Sequence, residues 1–118
     1  MSTAIKRHQP GASLSRIVEY GNLVFVAGIT ADNKSAPCKA QTEEILKKID
    51  AALAAAGTDK SKLLSANVWI NDIREKDQMD AAWQAWVDPS NKPVRACVEA
   101  GLATPDTRVE IMVVAAKE

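Results

Sequence analysis

The stretch Arg108-Val-Glu-Ile-Met-Val-Val-Ala-Ala116 decides the fold. Its β-branched residues mark a strand, and its apolar side chains fall on both faces rather than one. Leu23-Val-Phe-Val-Ala27 has the same two-sided character. That second run is one arm of a hairpin: Arg16-Ile-Val-Glu-Tyr20 precedes it, and the two-residue loop Gly21-Asn22 joins them. Gly28 closes the second arm.

Around these strands the period changes. From Pro37 to Ala56 the apolar positions Ile45, Ile49, Ala52, Leu53 and Ala56 form one helical stripe. Glu43–Lys47 and Glu44–Lys48 are spaced as stabilising pairs on its exposed side, and Gly57 supplies the stop. Leu64-Ser-Ala-Asn-Val-Trp-Ile70 then alternates as a strand, with Leu64, Ala66, Val68 and Ile70 on its core face. Asp72 and Glu75 are spaced as a capping box opening a second helix. Met79, Ala82, Trp83 and Trp86 give that helix its stripe, and Asp88-Pro89 ends it. Val94–Ala100 and Arg108–Ala116 are the last two strands, joined by the turn at Leu102–Asp106.

Residues 1–13 read as a polar lead-in, with a turn at Pro10-Gly11. The predicted order is therefore β-β-α-β-α-β-β in one domain spanning 1–118: an α+β fold with two helices on one face of a single sheet. Two helices cover one face, and the chain has nothing left for the other. The apolar second face predicts a homo-oligomer.

Composition narrows the function. Fifteen Lys+Arg balance fifteen Asp+Glu, which removes the basic footprint of a general nucleic-acid or membrane-surface binder. The start MSTAIKRHQPG lacks the apolar stretch of a secretory signal, and no apolar run reaches the ~20 residues of a spanning helix. With only Cys38 and Cys97, the chain is expected in a reducing, cytoplasmic setting. A single histidine, His8, argues against a Ser-His-Asp triad or a multi-His metal site, and no phosphate loop or dinucleotide fingerprint is present.

The strand Val94-Arg-Ala-Cys-Val-Glu-Ala100 splits by period 2. Arg95, Cys97 and Glu99 share one side, and the apolar other side is predicted to be core. Glu110 is the lone carboxylate in the last strand. Two readings stand. Arg95 bridges Glu99 or Glu110 as a structural pair, or it holds a small anion in a cleft where the second sheet face meets a neighbour. Cys97 as a nucleophile would lack an activating histidine. Cys38 reads as a surface thiol, or as one with a lowered pKa at a helix N-terminus. Trp69, Trp83 and Trp86 read as packing residues, and Asp72 and Asp80 as capping or local hydrogen-bonding groups.

From Gly21 to Ala115 the chain resembles the Rid family of reactive-intermediate (enamine/imine) deaminases, also called YjgF and L-PSP endoribonuclease. The stretches that carry the resemblance are Gly21-Asn-Leu-Val-Phe-Val-Ala-Gly28, Gln41-Thr42, Ala55-Ala-Gly57 and Val68-Trp-Ile-Asn-Asp72. The most specific are Pro93-Val-Arg-Ala-Cys-Val-Glu99 and Val109-Glu-Ile111. The resemblance implies a chorismate-mutase-like fold, a homotrimer with sites between subunits, and cofactor-free, metal-free hydrolysis of 2-aminoacrylate and related 2-imino acids. It implies that Arg95 clamps the substrate carboxylate and that backbone at Gly28 and Cys97 holds the remainder. Glu110 would orient water and move the proton. Three positions depart from the family pattern: Leu14 replaces an aromatic residue of the substrate site, Ala27 a serine, and Asp80 an asparagine. These bear on substrate preference. Endoribonuclease-like activity and a non-catalytic, ligand-binding or chaperone-like trimer are the alternatives.

Overall fold

The computed structural model describes residues 4–118. Its elements are β1 (Lys6–Pro10), β2 (Ser15–Tyr20), β3 (Leu23–Ile29), α1 (Cys38–Ala55), β4 (Leu63–Ile70), α2 (Lys76–Trp86), β5 (Val94–Glu99) and β6 (Val109–Ala116). The six strands form one sheet in the order β1-β2-β3-β6-β4-β5. Every neighbouring pair is antiparallel except β4–β5, which are parallel and joined through α2. Both helices lie on one face, so the predicted class holds.

Local chemistry sets the elements. Gly21 takes φ +58°, the left-handed geometry glycine supplies at the first loop position of a tight hairpin, and Tyr20 pairs with Leu23 across it. α1 buries Cys38, Gln41, Thr42, Ile45, Leu46, Ile49 and Leu53, a stripe recurring every three or four residues. It ends with Gly57 at φ +81°, whose N–H bonds Ala54 O while the Thr58 N–H bonds Leu53 O. Those two bonds close the last turn. Glu44 and Lys48 meet at 3.4 Å as the spacing predicts.

Four local features differ from the sequence reading. The polar lead-in contains β1, an edge strand with no buried residue, whose Lys6, Arg7 and His8 pair with Glu19, Val18 and Ile17. An edge strand with both sides near water carries no apolar alternation, so its sequence reads as loop. On β4 it is Leu63 that is buried while Leu64 is exposed, because the register with β6 shifts between Leu63 and Ser65. At the start of α2, Asp72 accepts from Arg74 N, but Glu75 does not complete a capping box: both its oxygens bond Arg108, at 3.0 and 2.9 Å. Cys38 is fully buried, and burial, with Glu75 nearby, pushes its thiol up to about 11 rather than down.

The core lies between the helices and the inward sheet face, where Ile17, Val26, Val68, Ile111 and Val113 meet Ile45, Ile49 and Met79. Among the described residues, nothing covers the other face. Phe25, Met112 and Val98 lie open there, and Val94 is 73% exposed.

Candidate functional site

Arg95 sits on the edge strand β5 opposite Ala66, a residue of the inward face. Its side chain therefore turns toward α2. The guanidinium carbon lies 5.4 Å from the Trp83 ring centre, and Nη1 approaches Met79 Sδ at 3.8 Å. Nη1 also lies 2.8 Å from Oδ1 of Asp80, yet that fully buried oxygen accepts no aligned hydrogen bond. Oδ2 of Asp80 takes a 2.6 Å bond from Lys76, one turn back on the helix. Burial alone would raise the Asp80 carboxyl; Lys76 and Arg95 outweigh it and hold the group below its ordinary value. A guanidinium has five N–H donors. Among the described residues, no oxygen accepts a well-aligned bond from any of Arg95's donors. The group lines an open groove of about 570 Å³ with Lys76, Asp80, Trp83 and Lys92.

Glu110 stands elsewhere. It pairs with Trp69, so it projects from the face without helices. A Cβ added to Gly28 would fall 2.2 Å from Glu110 Oε2. Gly28 is glycine because that carboxylate occupies the space, and the β3–β6 register shift between Val26 and Ile29 lies at the same point. Among the described residues the Glu110 carboxylate has no ion pair or hydrogen bond. Leu14, 54% exposed just before β2, lies at this end of the sheet by the Ile17–Val26 register.

A family model described as Endoribonuclease L-PSP matches residues 4–117. The chain belongs to the endoribonuclease L-PSP family. The RutC family protein YoaB of Escherichia coli K12 is 38% identical over 112 residues, covering 95% of this chain and 97% of YoaB. The crystal structure of a YjgF-family protein from Neisseria meningitidis matches with a TM-score of 0.93 at 36% identity, covering 98% of this chain and 97% of that one. A more distant relative, the 2-iminobutanoate/2-iminopropanoate deaminase of Escherichia coli K12, is 26% identical over 107 residues, 85% of this chain and 84% of its own.

Within this L-PSP chain the structure corrects two site expectations. The face of β5 predicted to be core is the open one: Val94, Ala96 and Val98 are exposed, whereas Arg95 and Cys97 are partly buried toward α2. Alternation separates two faces without saying which one the helices cover. The structural-bridge reading also changes partner. Glu99 accepts from Ile73 N at 2.9 Å, Glu110 is on the opposite sheet face, and Arg95 meets Asp80 instead. Arg95 and Glu110 are thus separated by two strand spacings, three residues along the strands and the thickness of the sheet. At roughly 4.8 Å per strand and 3.3 Å per residue, one small molecule cannot touch both within a single chain.

Cys97 pairs with Val68 beside Arg95. Burial raises its thiol, with Arg95 and Lys76 pulling the other way, and His8 lies on the opposite edge strand. A protonated, partly buried thiol without a base is a poor nucleophile. Cys97→Ser is therefore expected to keep most of any imine hydrolysis, measured by trapping unreacted imine. Loss of several orders of magnitude in a folded variant would restore the nucleophile reading.

One organising residue was given no role by the sequence reading. Gln41, fully buried on α1, donates to Ala36 O and Asp106 O and accepts from Arg108 N at 2.9 Å. It ties the segment after Gly28 to the segment before Glu110. Its signal was legible: Gln41 shares the stripe of Ile45 and Ile49 at four-residue spacing, and a buried amide must satisfy its hydrogen bonds.

Proposed function

We propose that this protein hydrolyses reactive 2-imino acids to 2-keto acids and ammonia, in sites formed between copies of the chain in a homotrimer. The observation that carries the reading is the Arg95 guanidinium, rich in unspent donors and facing an open groove, a fork suited to a carboxylate. The unpaired carboxylate of Glu110 supplies the second function. The protonated imine carbon is already electrophilic, so the protein's task is to place water and move one proton. Glu110 takes a proton from the attacking water as the C–O bond forms, then returns it to nitrogen. The hydroxyl proton of the resulting intermediate passes to solvent water as the C–N bond breaks, leaving the keto acid and ammonia. Backbone at Gly28 and Cys97 would hold the rest of the small substrate, and Leu14 would shape its pocket.

Arg95 and Glu110 occupy opposite faces, so joining them needs a second copy; the open apolar face supplies a surface for that association. Zero net charge and the distant, lone His8 count against RNA cleavage as the main activity.

The direct test generates imine with an amino-acid oxidase or a serine dehydratase and traps it with semicarbazide. Addition of the protein is expected to lower the trapped yield for a subset of amino acids; no change with any of them would remove the reading. For the assembly, light scattering is expected to give roughly 38 kDa, three times the 12.7 kDa chain. A Val98→Asp change on the open face is expected to shift that mass toward the monomer. A wild-type monomer at micromolar concentration would sink the shared site.

A further inference from the structure

We propose that Asp80 is a resident carboxylate that competes with the substrate's carboxylate for Arg95, and thereby sets how tightly the site binds small acids. This rests on Arg95 being the carboxylate clamp, and the experiment below separates the two.

The two groups are held independently. Asp80 is anchored on α2 by Lys76 at 2.6 Å, whereas Arg95 reaches in from β5 and rests on Trp83 and Met79. Their own contact is close, 2.8 Å, but misaligned, which leaves Oδ1 of Asp80 buried without a hydrogen bond. That oxygen is held by its close ion pair with Arg95 rather than by a well-aligned hydrogen bond. An incoming acid that presents both oxygens to the guanidinium makes two parallel charge-assisted bonds, which Asp80 does not make from the side of the helix. The ligand therefore wins the fork, but against a negative charge already beside it. Lys76 sets the strength of that opposition, because it engages the other oxygen of the same carboxylate and draws charge away from Arg95.

The prediction has two signs. Asp80→Asn keeps the shape and removes the competing charge, so it should tighten binding of 2-oxobutanoate, used as a product-like probe, by about tenfold. Lys76→Met frees Asp80 to hold Arg95 and should weaken the same binding several-fold, on the order of one lost exposed ion pair. In the Asp80→Asn background the Lys76→Met effect should shrink markedly, because Lys76 acts through Asp80. Calorimetric titration of 2-oxobutanoate into the assembled protein reads all three, and imine hydrolysis adds a KM readout expected to fall in Asp80→Asn more than kcat changes. Simple structural damage would weaken binding in every variant. Asp80→Asn that binds no tighter, or Lys76→Met that binds as wild type, overturns the competition. If Arg95→Ala also leaves 2-oxobutanoate binding untouched, the clamp itself is wrong. If Arg95→Ala abolishes binding while Asp80→Asn does not tighten it, only the competition fails.

Discussion

Arg95→Lys is expected to yield a folded, assembled protein that has lost most of its imine hydrolysis. Lysine keeps the positive charge beside Asp80, whose other oxygen remains bonded to Lys76, so the cluster that packs α2 on β5 should survive. What lysine lacks is the planar two-point fork. A charge-assisted hydrogen bond is worth about 1.5–3 kcal/mol, so kcat/KM should fall by at least ~10–150-fold, and further if the carboxylate is desolvated between subunits. The semicarbazide assay together with a melting curve measures both. If Arg95 served only to pair with Asp80, lysine would restore activity along with stability. A folded Arg95→Ala assembly with wild-type hydrolysis would end the deaminase reading of this groove.

Glu110→Gln carries the second large effect. The amide is nearly isosteric, so it fits the space that Gly28 leaves open, and no ion pair or hydrogen bond within the described chain is lost. Stability should barely move. The amide cannot accept a proton from water, and the rate should drop by roughly 10²–10⁴-fold, the range for a general acid–base group. Binding of a 2-keto acid, which needs no proton transfer, should change far less. Undiminished turnover in Glu110→Gln would return this carboxylate to a structural role and leave water activation without a residue.

Much of the fold was legible because local chemistry and long-range packing agree there. The Gly21-Asn22 hairpin, the α1 stripe with its Gly57 stop, and the two-faced apolar strands β3 and β6 are each specified by neighbours in sequence. The misses share one cause: a partner outside the segment itself decides each of them. β1 is a strand because β2 pairs with it, not because its own residues alternate. Leu63 rather than Leu64 is buried because the β6 register slips there. The side of β5 on which Arg95 lies follows from where α2 packs, and its partner Asp80 is fifteen positions away on another element. Arg95, Cys97 and Glu110 could be named from their types and spacing, and Gly28 and Leu14 only through the family resemblance. Their division between two faces of the sheet could not, since period 2 is indifferent to which face is covered.

The position of β6 constrains how the chain comes to be folded. It is the last strand in sequence, yet it lies between β3 and β4 and pairs with both. A nascent chain that has not yet emerged past residue 109 holds two apolar strands with bare edges facing each other across an empty slot. Closing the sheet therefore waits on synthesis of its final strand, and the β3 and β4 edges stay open to wrong partners until then. Ribosome-stalled chains released before and after residue 116 should differ sharply in protease resistance, with the gain arriving in one late step rather than accumulating as the chain lengthens.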